Sequence, residues 1–261
     1  MQENFYQPQN TDPNNGQNNL AQGQNTQLQS EEYGPRRVTF FTLTLKTFFG
    51  FIGGTIGSIV LLLIFLVSSS ILQPVLSPAE ATAGEISPLF IVILMAMVFL
   101  TSVVSSLVTP FLLSYTERER YPRITSTLYQ SFIINIVIFL FVSPVYLTTS
   151  TTRLDLTAIA AGLQLVMSSM SSALIMEIMN DYKYALLGVY TTIIGVLIAT
   201  AANLFIYAAL GNTAILLFAA MPIIWASIGF FQGALGIFYY WYYTNWGIDA
   251  LATATNLGGD Y

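Results

Sequence analysis

The feature that most constrains this chain is a series of long stretches that contain no charged residue. A helix that crosses a bilayer needs about 20 apolar residues, because the hydrocarbon core is about 30 Å thick and a helix rises about 1.5 Å per residue. Four of the stretches are long enough for one crossing each. The fifth is long enough for two, divided at the turn-forming residues Gly211 and Asn212. The stretches lie between Lys46 and Glu80, Glu85 and Glu117, Arg123 and Arg153, Asp155 and Glu177, and Lys183 and Asp249.

These stretches predict an all-α, polytopic integral membrane bundle of about six transmembrane helices. The composition agrees, because 54% of the residues are hydrophobic and 8% are charged. A soluble domain carries about 25% charged residues, so this chain has too few to cover a surface that faces water. The predicted helices are Thr47–Leu72, Pro88–Leu113, Ser126–Leu147, Leu156–Met176, Tyr184–Leu210 and Ala214–Tyr240.

The chain is predicted to have three parts: a tail of residues 1–36, a six-helix domain of residues 37–246 and a short tail of residues 247–261. Half of the first 30 residues are Gln or Asn, so the first tail buries too little apolar surface to fold and is predicted to be disordered. It either binds a partner or is only a solvated extension. Val38, Phe41 and Leu45 have helical spacing, which predicts either a short helix on the anionic leaflet or the first turns of the first spanning helix.

The basic residues predict the orientation. All of them except Arg153 precede the first helix, follow the second or follow the fourth, and these places share one side of a six-helix threading. Lys and Arg favour the cytoplasmic side, so both termini are expected in the cytoplasm. The tail lacks the basic start and apolar core of a signal peptide. We therefore expect a membrane protein without a cleaved signal, most simply in a bacterial cytoplasmic membrane.

The residue types that are missing narrow the function. The chain contains no cysteine and no histidine, so thiolate and imidazole metal sites, Cys nucleophiles and His-based acid–base catalysis are excluded. No catalytic residue, metal ligand or cofactor site is predicted. The net charge of −5 also argues against a nucleic-acid partner, since phosphates need a basic surface.

Polar residues inside predicted helices are costly in lipid and are therefore candidate site residues. They either bond between helices or converge on a polar substrate near the membrane midplane. Glu177 is the one acidic residue near a helix core. It is predicted to lie at the cytoplasmic interface within reach of headgroups or Lys183, with proton or ion coupling as a weaker alternative. The four deep amides are Asn135, Gln164, Asn203 and Gln232.

Small residues at helical spacing predict close helix packing, because helices in lipid associate where their backbones approach. Such a groove could also receive a lipid tail or let one helix slide past another. In the first helix, Gly50, Gly54 and Gly57 are expected to form one stripe, and Gly53 and Gly57 a second pair. The predicted packing glycines are Gly50, Gly54, Gly57, Gly188, Gly195, Gly229, Gly233 and Gly236.

The sequence therefore favours a non-enzymatic, multi-pass membrane protein that acts as a subunit, a scaffold or a partner-binding anchor. Its expected partners are membrane lipids and either another membrane protein or a second copy of the chain. The alternative is a carrier or channel for a small neutral or weakly polar solute, lined by the deep amides.

Overall fold

The computed structural model describes residues 35, 37–72, 88–149, 154–181, 183–211 and 213–251. Within these ranges the chain forms six α-helices and no strand. Each helix is long and apolar enough to cross a membrane, which confirms the predicted all-α integral membrane bundle. The tail predicted to be disordered, apart from residue 35, lies outside the described residues. The helices are α1 (Phe40–Leu72), α2 (Pro88–Ser114), α3 (Ile124–Thr149), α4 (Leu154–Asn180), α5 (Ala185–Leu210) and α6 (Thr213–Trp246).

The largest differences from the predicted boundaries are at the start of α1 and the end of α6. α1 begins at Phe40 and not at Thr47, so Phe41 and Leu45 belong to the spanning helix and form no separate surface helix. The predicted start lies just after Lys46 because a charged residue ordinarily marks the edge of the membrane. α6 continues to Trp246 through the aromatic residues that favour the membrane interface.

Between α5 and α6 the chain turns where the sequence predicts it. Gly211 has φ 61° and caps α5, its N–H donating to the carbonyl oxygen of Tyr207 at 2.8 Å. A residue with a Cβ is strained in this left-handed conformation. α5 and α6 are therefore neighbours that run in opposite directions.

The centre of the bundle is formed by α4 and α6 together with α2. Half of the apolar window of α4 and of α6 is buried, compared with 22% for α5 and 28% for α3. The central helices meet in one apolar core, and α3 and α5 lie at its edge. Core side chains from the central helices include Val98, Leu113, Leu165, Met176, Trp225 and Ile228.

α1 and α6 approach closely along most of their length, because glycine leaves no side chain between them. A Cβ added to Gly54 would lie 2.5 Å from the carbonyl oxygen of Met221, and one on Gly233 would lie 2.7 Å from the Cα of Leu43. Real side chains do not fit at these distances. The first and last helices of the chain are therefore direct neighbours.

Pro222 adds a specific bond to this contact. A proline has no N–H, so the carbonyl group four residues earlier loses its helical partner. That carbonyl belongs to Phe218, and its oxygen accepts a hydrogen bond from the Ser58 hydroxyl of α1 at 2.6 Å. In a membrane, an unpaired backbone carbonyl is costly, so Ser58 makes Pro222 tolerable within α6.

The other packing glycines also lie at helix contacts, with one difference in grouping. Gly57 does not face the same helix as Gly50 and Gly54; a Cβ there would lie 2.8 Å from the Cβ of Ser105 in α2. Gly53 faces α2 as well, at Thr109. α1 therefore has two glycine faces: the predicted pair of Gly53 and Gly57 faces α2, and the prediction that Gly57 also belongs to the stripe of Gly50 and Gly54 is wrong. Elsewhere, a Cβ added to Gly195 would meet the backbone of Ile228, and one added to Gly229 would meet the backbone of Lys46. A Cβ added to Gly236 would meet the side chain of Val38.

Candidate functional site

One end of the bundle collects charged side chains that lie far apart in the sequence. This end contains the start of α1, the connection of residues 115–123 between α2 and α3, and the end of α4. We call the group that meets here the charge network. Its members are Lys46, Glu117, Arg120, Tyr121, Glu177 and Asp181.

Arg120 is the centre of the charge network. Its Nη2 lies 2.7 Å from Oε2 of Glu177, its Nε lies 3.0 Å from Oδ2 of Asp181, and its Nη1 lies 3.3 Å from Oε2 of Glu117. A guanidinium group presents several donors in a fixed plane, so it can hold carboxylates on different elements at once. Arg120 thereby fastens the α2–α3 connection to the end of α4.

Lys46 brings α1 into the same network. It is the seventh residue of α1, its side chain is fully buried, and its Nζ lies 2.9 Å from Oε2 of Glu117. A buried ammonium group without a carboxylate partner would be strongly destabilising. Glu117 contacts both Lys46 and Arg120, so one carboxylate links α1 to the connection that also holds α4.

Tyr121 closes the network on its inner side. Its hydroxyl donates to Oε1 of Glu177 at 2.9 Å. Its ring centroid lies 5.5 Å from the Arg120 guanidinium and 6.0 Å from Lys46 Nζ, where the face of an aromatic ring attracts a cation. Both Glu177 oxygens are therefore occupied, one by Arg120 and one by Tyr121.

Burial and neighbouring charges shift the ionisation of the groups in the connection. Burial alone would raise the pKa of Glu117, but the Lys46 ammonium and the Arg120 guanidinium outweigh it and lower the pKa below the ordinary value. Burial raises the pKa of Tyr121 well above its usual range, so its phenol keeps the proton that it donates to Glu177. Three carboxylates and two cations leave the network with a formal charge of −1.

Gly188 of α5 makes room for Glu177. A Cβ at Gly188 would lie 2.7 Å from Cγ and 2.9 Å from Oε2 of Glu177. The glycine spacing in α5 predicts helix packing, and at this position the packed partner is an acidic side chain. Glu177 itself is fully buried, so the prediction that its side chain is within reach of headgroups is wrong. Its buried pairing explains the difference.

Asn180 ties the same end of α4 to the start of α3. Its Oδ1 accepts from the backbone N–H of Arg123 at 2.8 Å, and its Nδ2 donates to the hydroxyl of Thr127 at 2.9 Å.

The three arginines of the connection thus have different surroundings. Arg118 is exposed over the ring of Tyr115, whereas Arg120 is in the charge network.

A second polar group lies beyond α6. Gly247 has φ 65° and turns the chain, and Asp249 then accepts hydrogen bonds from the hydroxyls of Tyr184 at 2.9 Å and Tyr239 at 2.5 Å. Lys183 Nζ lies 3.9 Å from Asp249. Burial and the bond to Asp249 raise the pKa of Tyr184. Asp249, three residues after the end of α6, therefore fastens the described residues 247–251 to the turn before α5.

The four deep amides do not hydrogen-bond with one another in the described part of the chain. Asn135 Nδ2 donates to the carbonyl oxygen of Ser131 at 2.6 Å, and Asn203 Nδ2 donates to that of Ala199 at 3.0 Å, each within its own helix. Gln164 of α4 accepts from the Tyr146 hydroxyl of α3 at 3.1 Å. The side-chain oxygen and nitrogen of Gln232 have no hydrogen-bond partner among the described residues.

Of the charge network, only Glu177 is among the residues predicted to form a site; from the sequence, Lys46 and the arginines indicate the ends of spans and the orientation in the membrane. The available signal was the density of opposite charges from Glu117 to Arg120, directly after an apolar helix. Among the described residues no group of three or more acidic side chains is placed to hold a metal ion. The network's arrangement is suited to joining helices.

Comparison of the chain with protein-family models, with curated proteins and with solved structures gave no significant match.

Proposed function

We propose that this protein is a non-enzymatic, multi-pass membrane protein that acts as a subunit, scaffold or partner-binding anchor. The observation that carries this proposal is that charged side chains inside the bundle are used to bind one another. Lys46 is paired with Glu117, and Glu177 with Arg120 and Tyr121. Groups engaged in this way stabilise one arrangement of helices and are not free to exchange partners with a substrate.

The deep amides support the same proposal. Two of them turn back to carbonyl groups of their own helices, and Gln164 bonds to Tyr146 of the neighbouring helix. A substrate site near the midplane would need such groups to point together into one space. Their separate bonds favour a rigid bundle that offers its outer faces to lipids or to another protein.

Large apolar side chains are exposed on the outer faces of α1, α3 and α5. On α3, Leu140 and Phe141 are 63% and 72% exposed, and on α5, Leu204 and Phe205 are 61% and 75% exposed. In a membrane these side chains meet lipid tails or the helices of a partner. We propose that either the α3 face or the α5 face binds another membrane protein or a second copy of the chain. The remaining face of the two contacts lipid.

The partner proposal can be tested by placing a photo-crosslinking residue at Phe141 or at Phe205 in the full-length chain. Crosslinking in native membranes should capture one protein, or a second copy, from one position and only lipid from the other. The same partner should then co-purify in mild detergent. Lipid adducts alone from both positions, together with a monomer in detergent, would contradict the proposal.

We further propose that the charge network lies on the cytoplasmic side and that the protein belongs to a bacterial cytoplasmic membrane. Lys46, Arg118, Arg120, Arg123 and Lys183 all belong to the end of the bundle that contains the network, and basic residues favour the cytoplasm. Tags at the two termini should both resist a protease added outside intact cells. Cleavage of either tag would refute this orientation.

A carrier or channel for a small neutral solute is the second candidate, favoured by the unpartnered amide of Gln232. Purified protein in liposomes should then speed the entry of urea or glycerol above the rate of empty liposomes. If flux is found, Glu177→Gln tests proton or ion coupling, since a coupled flux would lose its pH dependence. The absence of flux would leave only the first proposal.

A further inference from the structure

Several polar side chains in the bundle interior are buried without a hydrogen-bond partner in the described part of the chain. On α6 these are the indole N–H of Trp225 and both polar atoms of the Gln232 amide, and on α4 the hydroxyl of Ser172. Trp225 and Ser172 are fully buried and Gln232 is 3% exposed. Such groups are costly to bury unless something bonds to them.

Helix geometry places Ser172 and Trp225 at about the same level of the bundle. The Ser169 hydroxyl of α4 contacts the Met221 sulfur of α6 at 3.5 Å. α4 and α6 both run toward the charge network. Residues that are equally far beyond this contact along the two helices therefore lie at about the same height in the bundle. Ser172 is about one turn beyond Ser169, and Trp225 is about one turn beyond Met221, each rotated by no more than about 60° from the residue that makes the contact.

Gln232 lies on the same side of α6, two turns beyond Trp225 and closer to the charge network. α1 runs opposite to α6, with Gly229 against the backbone of Lys46 and Gly233 against Leu43. Gln232 therefore lies level with the first turns of α1, from which the buried Lys46 ammonium reaches Glu117. The unpartnered groups form a line from Ser172 to the inner side of the network.

We propose that this line is an internal hydration site, in which water bonds Ser172, Trp225 and Gln232 beneath the charge network. The donor and acceptor types decide the class of ligand. The indole N–H and the Lys46 ammonium disfavour a cation, while Glu117 and Glu177 disfavour an anion. A neutral molecule that both donates and accepts fits all of them, and water is the smallest. A buried water typically makes about three hydrogen bonds. Gln232 lies about 10 Å beyond Trp225 along α6, so it bonds a different water from the one between Ser172 and Trp225, and the waters form a row.

The absence of cysteine from the sequence gives a direct test. Ser172→Cys changes one atom, and Ala173→Cys provides a matched control, because Ala173 is equally buried but belongs to the apolar core. A thiol reacts as the thiolate, which needs water to form. Methyl methanethiosulfonate should therefore modify the folded Ser172→Cys variant at least about tenfold faster than the Ala173→Cys variant. Equal, slow rates in both, after normalisation to the unfolded chains, would overturn the proposal.

A second measurement does not depend on a new thiol. The chain has three tryptophans, so Trp241→Phe with Trp246→Phe leaves Trp225 as the only fluorescent indole. If water bonds it, adding Gln232→Leu should disturb that water and shift the emission to shorter wavelengths. Gln164→Leu, at the Tyr146 contact, should leave the emission unchanged. An unchanged emission in the Gln232→Leu variant would also refute the hydration site.

Discussion

The charged end of the bundle and its glycine-packed middle hold the same helices together by different means. At the charged end, Arg120 and Lys46 join three elements through ion pairs. In the middle, Gly50 and Gly54 let the backbones of α1 and α6 approach. Ion pairs require every partner to be present, whereas a glycine contact requires only that nothing be added. The two regions should therefore differ in which substitutions they tolerate.

The largest effect is expected from Arg120→Met, because it leaves the buried Glu177 carboxylate without its cation. Removing one partner of a buried pair typically costs about 3–5 kcal/mol. Thermal unfolding in mild detergent would measure the loss. Arg118→Met is the matched control, since Arg118 is exposed, and it should cost less than about 1 kcal/mol.

The double variant Arg120→Met, Glu177→Gln sharpens this prediction. It removes both charges and should recover part of the lost stability, because the uncompensated carboxylate is gone. If Arg120→Met unfolds at the wild-type temperature, the charge network does not stabilise the bundle, and the contrast between its two regions disappears.

The middle of the bundle should instead be sensitive to a single added methyl group. In Gly54→Ala the new Cβ would meet the backbone of Met221 and Pro222, and overpacking of this kind costs about 1–3 kcal/mol. Gly162→Ala in α4 is the control, because nothing lies within 4 Å of the added Cβ. Alanine also favours helix over glycine, so the control should be neutral or stabilising in the same detergent melt. Equal melting of both variants would argue against tight α1–α6 packing.

A smaller effect should appear with pH at the charged end. The pKa of Glu117 is lowered in the folded protein below the ordinary value of 4.5, so its ionised form stabilises the fold. This contribution is complete above pH 4.5 and is lost as the pH falls through the lowered value. Melting temperatures measured from pH 7 to pH 3 should therefore fall less steeply for Glu117→Gln than for wild type. Glu119→Gln, an exposed change on the same connection, should follow the wild-type curve; parallel curves for all three would be contrary evidence.

The smallest effect is expected at the deep amides. Tyr146→Phe removes the hydroxyl that bonds Gln164, and interhelical bonds of this kind average about 0.6 kcal/mol in membrane proteins. A detergent melt should therefore change little, and adding Gln164→Leu should change it little further. A loss as large as that of Arg120→Met would show that a neutral bond between helices stabilises the bundle as much as the charge network does.

The number of helices could be predicted from the sequence because an unpaired charge is expensive in hydrocarbon, so charge-free stretches mark the spans. The same rule failed at Lys46, which is paired and therefore lies inside α1. Its partner Glu117 is more than 70 residues away in the chain, and no local pattern links them. Glycine spacing likewise predicted grooves on α1. It could not say that Gly54 faces α6 and Gly57 faces α2, because that choice depends on where the other helices lie.

The contact between α1 and α6 has a consequence for biogenesis. A ribosome completes α1 long before α6 emerges. For most of translation, Gly50 and Gly54 therefore lack the α6 backbone against which they pack, and the Ser58 hydroxyl lacks the Phe218 carbonyl oxygen that accepts its hydrogen bond. During that interval the growing protein has not yet formed the contact between its first and last helices. Quality control in the membrane would encounter this species first, and ribosomal stalling before α6 would prolong its lifetime.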